Sequence, residues 1–196
     1  MRKSVDFFFD VGSPSSYLAW TQLPGLCASH DADLVYRPML LGGVYQATGN
    51  ASPATIPVKG RYTQIDYERH ARRYGVPFKG NPHFPIITLF LMRAVTGIQL
   101  RRPQELQKFL GCVFKGLWID TLNLNDSQLT SSMLTAGGFD PAEVERLAQD
   151  PETKAALKAT TQEAVERGVF GAPTLFVGDQ MFFGQDRLEF VREALS

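Results

Sequence analysis

Three observations predict an α/β fold interrupted by a helical insertion. The chain opens strand, helix, strand; a long block of helical patterns fills its middle; and a helix, a hairpin and a last helix close it. Consecutive strand, helix and strand imply a parallel pair joined by a right-handed crossover. The 196 residues suit one domain with a modest insertion and can bury a sizeable core. Apolar residues at 44% and charged residues at 20% are an ordinary globular mix.

The elements follow in order. Val5, Phe7, Phe8 and Phe9 form a short aromatic run closed by Gly12 and Pro14, which reads as a buried strand. A helix is expected from Pro14, since proline costs nothing in a first turn whose N–H has no partner. Leu18, Leu26 and Cys27 are its candidate core residues, and Pro24 is expected to bend or interrupt it. Leu34, Val35 and Tyr36 read as the second strand. A helix over 61–74 would place Tyr67, Ala71 and Tyr74 on one face and stop at Gly75. The apolar stretch 86–96 is expected to end at Gly97. Pro103 opens an amphipathic helix in which Leu106, Phe109, Leu110, Val113, Phe114 and Leu117 keep helical spacing. Asp126 is a candidate cap for the next helix, which stops at Gly137-Gly138. Asp140-Pro141 and Asp150-Pro151 each read as an N-cap followed by proline in the first turn. Residues 174–177 and 181–183 flank Gly178-Asp179-Gln180, a hairpin signal. A final helix is expected from about Asp186, with Leu188, Val191 and Leu195 on one face.

Lys plus Arg equals Asp plus Glu at 20 each, so there is no basic excess for nucleic acid to engage. The Arg72-Arg73 and Arg101-Arg102 pairs read as solvated helix faces. The first residues lead directly into a strand, with no apolar targeting region, and no apolar stretch is long enough to span a membrane. Two cysteines, Cys27 and Cys112, with no Cys-x-x-Cys, fit a reducing cytoplasmic compartment. His30, His70 and His83 are scattered without metal-ligand spacing, so no metal is expected.

Three short segments have chemical potential. Ser13-Pro14-Ser15-Ser16 lies where the first strand meets the first helix, and free N–H groups there stabilise an anion. Ser13 equally reads as a plain N-cap. In Gly171-Ala172-Pro173-Thr174, the Ala172–Pro173 bond is either a candidate cis peptide or an ordinary turn. In Gly184-Gln185-Asp186-Arg187, Asp186 can cap the last helix. Arg187 in that first turn opposes the helix dipole, which favours a task such as gripping a carboxylate over a plain surface role.

Taken together these segments carry a resemblance. The stretch from Phe9 to Leu18 is similar to the active-site turn of the DsbA branch of the thioredoxin superfamily, with serine at Ser13 and Ser16 where that branch has cysteine. Gly171-Ala172-Pro173-Thr174 resembles its cis-proline loop. The pattern Asp-x-x-Ser-Pro-x-Ser-Tyr-Leu from Asp10 resembles kappa-class glutathione transferases and 2-hydroxychromene-2-carboxylate isomerases. So do Arg37-Pro38, Leu41-Gly42-Gly43, Gly49-Asn50, Lys59-Gly60 and Phe183-Gly184-x-Asp186-Arg187.

The resemblance implies a thioredoxin-like domain, 1–58 and 166–196, split by an all-helical insertion, 59–165. It implies a homodimer that binds glutathione at the Ser13 turn. Ser13 would stabilise the thiolate, and the Ala172 backbone beside Pro173 would pair with the tripeptide. Asn50, Lys59 and Arg187 would hold its carboxylates, Asp186 its α-amino group, with Gly184 and Gln185 in the same loop. Lys59 would otherwise be ordinary surface. Phe84 is a candidate wall for a small aromatic or electrophilic substrate, or else plain core. The implied activity is isomerisation of 2-hydroxychromene-2-carboxylate; the alternatives are a kappa-like transferase and a non-catalytic glutathione-binding module. The stretch 40–44 looks kappa-like as much as isomerase-like, while length and a short C-terminus lean toward the isomerase.

Overall fold

The computed structural model describes residues 2–196. Four strands form one mixed sheet in the order β2-β1-β3-β4: β1 (Ser4–Phe9), β2 (Asp33–Pro38), β3 (Thr174–Val177) and β4 (Gln180–Phe183). β1 pairs parallel with β2, with Phe7 opposite Tyr36, and antiparallel with β3, with Phe7 opposite Leu175. β3 and β4 make the expected hairpin, its turn tightened to Gly178-Asp179.

Alternation along β1 explains its aromatic run. Phe7 and Phe9 stack at 4.8 Å in the main core, while Phe8 points to the opposite face among Met39, Val44, Ala164, Val169 and Phe176. A strand covered on both faces reads as continuously apolar rather than alternating. The main core runs from β1 and α1 (Pro14–Ser29) into α4 (Leu89–Arg101) and α5 (Leu106–Trp118), taking in Met92, Phe109, Phe114 and Trp118. The second face is covered by α2 (Leu41–Thr48) and α8 (Pro151–Glu166). The remaining helices are α3 (Pro57–Tyr74), α6 (Ser127–Ala136), α7 (Pro141–Gln149) and α9 (Leu188–Leu195).

The capping expectations for the middle helices hold. Asp126 accepts the N–H groups of Gln128 and Leu129, Asp140 that of Ala142, and Asp150 those of Glu152 and Thr153. Gly75 ends α3 in the left-handed conformation at φ 67°. Five expectations differ from the structure. Pro103 opens a 3-10 turn, Pro103–Glu105, and α5 itself begins only at Leu106. α1 runs unbroken through Pro24, which sits on the exposed side, where its ring displaces no core side chain. α3 starts at Pro57, four residues earlier than its apolar pattern, because Pro57 takes the first-turn position. Gly97 does not end α4 but lies inside it: a Cβ there would sit 2.9 Å from Cβ of Leu147, so the glycine lets α7 approach. Asp186 does not cap α9. It falls within a short 3-10 turn, Gln185–Arg187, and its carboxylate pairs with Arg187.

Candidate active site

Ser13 is the N-cap of α1. Its φ of −92° and ψ of 117° are extended, and its Oγ accepts the Ser16 N–H at 3.1 Å. The same hydroxyl donates to the Ala172 carbonyl at 2.9 Å, joining the α1 mouth to the loop before β3. The Ala172–Pro173 bond is cis. Ser13 is buried, with 6% exposure. Pro14 has no N–H and the Ser16 N–H is taken, so Ser15 presents the remaining first-turn N–H at the positive end of the helix.

Gln185 and Gly184 close one side. The Pro173 carbonyl accepts the Gly184 N–H at 3.0 Å. Gly184 adopts φ 98°, a left-handed conformation that favours glycine. The buried Gln185 side chain accepts the Ser15 hydroxyl, and the Gln185 carbonyl accepts the Tyr74 hydroxyl at 2.7 Å. The structure thus brings Ser13, Ala172, Pro173, Gly184 and Gln185 into one network.

The other predicted residues stand around it. Asn50 is exposed and donates to the Phe170 carbonyl at 2.8 Å, just ahead of the cis-proline loop. Lys59 is exposed in the first turn of α3, beside Pro53, Val58 and Tyr62. Asp186 and Arg187 are half-exposed and paired with each other. A cleft of about 420 Å³ between α1, α3 and α9 reaches Gln185 and Asp186, but Ser13, Asn50, Lys59 and Ala172 are not in its lining. Phe84 is 38% exposed and therefore not plain core; its ring lies 6.4 Å from that of Trp118. Trp118 Nε1 donates to the Val11 carbonyl at 3.0 Å, which ties the buried Trp118 to the turn that carries Ser13.

Three further positions hold the turn in place, and none had an assigned role in the sequence. Asp10 is 1% exposed, and its carboxylate accepts the Gly12 N–H at 2.9 Å, the Leu41 N–H at 2.9 Å and the Thr88 hydroxyl at 3.0 Å. It therefore ties the Ser13 turn to the starts of α2 and α4. Burial pushes its carboxyl pKa up, against the pull of those donors. Thr88 and Trp118 are the others, and neither carries a local signal. For Asp10 a signal existed: an acid where an aromatic strand enters a turn. Among the described residues the Ser16 hydroxyl is also buried without a partner, one turn behind Ser13.

The arrangement places one free N–H and a hydroxyl, whose proton rests on the neighbouring Ala172 carbonyl, where an anion can approach. Such donors favour a thiolate over a thiol, and serine cannot trap it as a mixed disulfide. The donor set fits a cysteinyl thiol flanked by its own backbone N–H.

A family model of the DSBA-like thioredoxin domain matches residues 4–196. The chain is 30% identical over 197 residues to 2-hydroxychromene-2-carboxylate isomerase of Sphingobium xenophagum, covering 100% of this chain and 99% of that one. It is 29% identical over 198 residues to glutathione S-transferase kappa 1 of Rattus norvegicus, covering 94% and 87% respectively. The solved structure of a 2-hydroxychromene-2-carboxylate isomerase superposes with a TM-score of 0.82 at 28% identity, over 98% of this chain and 94% of that one. The chain belongs to the DsbA-like thioredoxin family, in the branch of 2-hydroxychromene-2-carboxylate isomerases and kappa-class glutathione transferases, which are enzymes.

Proposed function

We propose that this protein is a glutathione-dependent isomerase of the 2-hydroxychromene-2-carboxylate type. The observation that carries the reading is the Ser13 hydroxyl at the α1 mouth, 2.9 Å from the Ala172 carbonyl, with no cysteine on the turn. Bound glutathione would supply a thiolate that adds reversibly to the conjugated double bond, lets the resulting single bond rotate, and leaves as the double bond re-forms, opening the chromene to trans-o-hydroxybenzylidenepyruvate. Ser13 donates to the sulfur and lowers its pKa, with the Ser15 N–H assisting. The Ala172 backbone pairs with the tripeptide as an edge strand does. Asn50, Lys59 and Arg187 hold its carboxylates and Asp186 its ammonium, which requires the Asp186–Arg187 pair to open around the ligand. Phe84 walls the aromatic substrate, with the buried Trp118 ring supporting it from behind.

The same reading divides the chain into a thioredoxin part, 1–58 with 166–196, and an insertion, 59–165, with boundaries in the first turn of α3 and the last turn of α8. It also carries a cytoplasmic homodimer. The kappa-class relatives support a second reading, in which the sulfur stays on an electrophile.

The test follows 2-hydroxychromene-2-carboxylate by ultraviolet absorbance with and without glutathione, with an aryl halide in parallel. Isomerisation that needs glutathione and does not consume it is expected. In Ser13→Ala, the bound thiol's pKa should rise by about one to two units, because a hydrogen bond to a charged group is worth about 1.5–3 kcal/mol. Consumption of glutathione on the halide alone would install the transferase, and no melting shift at millimolar glutathione would remove both readings.

A further inference from the structure

The Ser13 hydroxyl has one proton, and that proton is already in use. Oγ donates it to the Ala172 carbonyl at 2.9 Å while accepting the Ser16 N–H at 3.1 Å. A sulfur anion only accepts, so it can be served by this hydroxyl only if the proton turns away from Ala172. Among the described residues the Ser13 hydroxyl is the donor this carbonyl has. Turning it away strips a part-buried acceptor, which opposes the rotation. A thiol alone therefore gains little from Ser13.

A cysteinyl residue changes the balance. With its sulfur on Ser13 Oγ, its own amide nitrogen lies across the Cα–Cβ link, within reach of a carbonyl only 2.9 Å from that same Oγ. We propose that the Ala172 carbonyl is a specificity-determining acceptor: the backbone N–H of the bound cysteinyl residue takes it over, and the Ser13 hydroxyl is thereby released to donate to the sulfur. The carbonyl has two lone pairs and can briefly hold both donors. Once the amide covers it, the anionic sulfur is the stronger acceptor and draws the hydroxyl. No bond to Ser13 forms or breaks. The thiol proton leaves to water, and the hydroxyl proton stays on Oγ and changes acceptor. The consequence is selection by activation: a peptide thiol bound at Ser13 becomes a thiolate, whereas a simple thiol there keeps most of its ordinary pKa, lowered only by the Ser15 N–H and the helix dipole. This deepens the glutathione reading above and rests on it.

The test compares glutathione with its depsipeptide analogue, in which an ester oxygen replaces the cysteine N–H, on the wild type and on Ser13→Ala. The pKa of the bound thiol is read from the ultraviolet thiolate band, or from the pH dependence of the dissociation constant where the analogue cannot be held at saturation. With glutathione, the wild type should hold the thiol about one to two units below Ser13→Ala, a 10- to 100-fold difference in ionisation. With the ester, wild type and Ser13→Ala should agree within about half a unit, the loss expected when the releasing N–H is absent. The proposal is overturned if the ester shows the same Ser13-dependent lowering as glutathione, since the hydroxyl would then be released without the amide. If glutathione itself fails to bind or shows no Ser13 dependence, the glutathione reading falls and takes this proposal with it, so the two failures are distinct.

Discussion

Asp10→Asn isolates the buried carboxylate that organises the Ser13 turn. The aspartate serves three donors from three elements: the Gly12 N–H, the Leu41 N–H and the Thr88 hydroxyl, all within 3.0 Å. Asparagine keeps the volume and one acceptor oxygen, so it can continue to serve Leu41 and Thr88. Its NH2 group then faces the Gly12 N–H, and that backbone donor is left unmet at a cost of about 1–3 kcal/mol. A typical domain, stable by about 5–15 kcal/mol, survives this. The pH dependence supplies the sharper reading. Burial, the largest influence on Asp10, raises its folded pKa above the unfolded value of about 3.9. The folded state then binds more protons than the unfolded one between those values, so stability falls as pH rises through that window and is level above it. The variant has no such group, so its deficit should be largest near pH ~4 and shrink as pH rises. Urea unfolding across a pH series measures this; with a slope of about 2 kcal/mol/M, the midpoint should drop by about 0.5–1.5 M at the acid end. A deficit that grows with pH would refute the argument, because it would mean that the three donors hold Asp10 as an anion with a lowered pKa.

Two glycine substitutions should move stability in opposite directions. Gly97→Ala places a methyl 2.9 Å from Leu147 Cβ and 3.1 Å from its carbonyl oxygen, and should destabilise by about 1–3 kcal/mol despite the better helix former; a higher melting temperature would contradict the close α4–α7 approach. Gly25→Ala in α1 meets no atom within 4 Å, and thermal unfolding should show a gain of about 0.5–1 kcal/mol; a loss would show that this glycine has a role the packing does not reveal. Burial pushes the Cys27 thiol up to about 11, with Asp33 adding to it, and burial also raises Cys112. The native protein should therefore resist alkylation at neutral pH and reduce insulin disulfides no faster than the uncatalysed rate; rapid labelling of Cys27 before unfolding would count against this.

Local chemistry in this chain was legible without coordinates. The strand β1, the caps at Asp126, Asp140 and Asp150, the Gly75 stop and the hairpin after β3 each depend on neighbours within a few residues. Side-chain period and cap geometry act at that range, so the sequence alone decides them. Ser13 as a cap was legible for the same reason, and so was its place at a helix mouth. Gly97 and Pro24 show the limit. Both look like helix punctuation, yet one makes room for Leu147 and the other faces water, and neither neighbour is visible along the chain.

What the tertiary structure alone decided is who meets whom. The sheet order β2-β1-β3-β4 lays β3 beside β1, and only this brings the Ala172 carbonyl, 159 residues away, onto the Ser13 hydroxyl. Asp10 likewise gathers Leu41 from 31 residues away and Thr88 from 78. A buried polar group must find partners, but its own sequence neighbourhood does not say which. Burial and strand pairing choose them, and here they turned a common serine cap into a hydroxyl whose single proton has two acceptors to choose between.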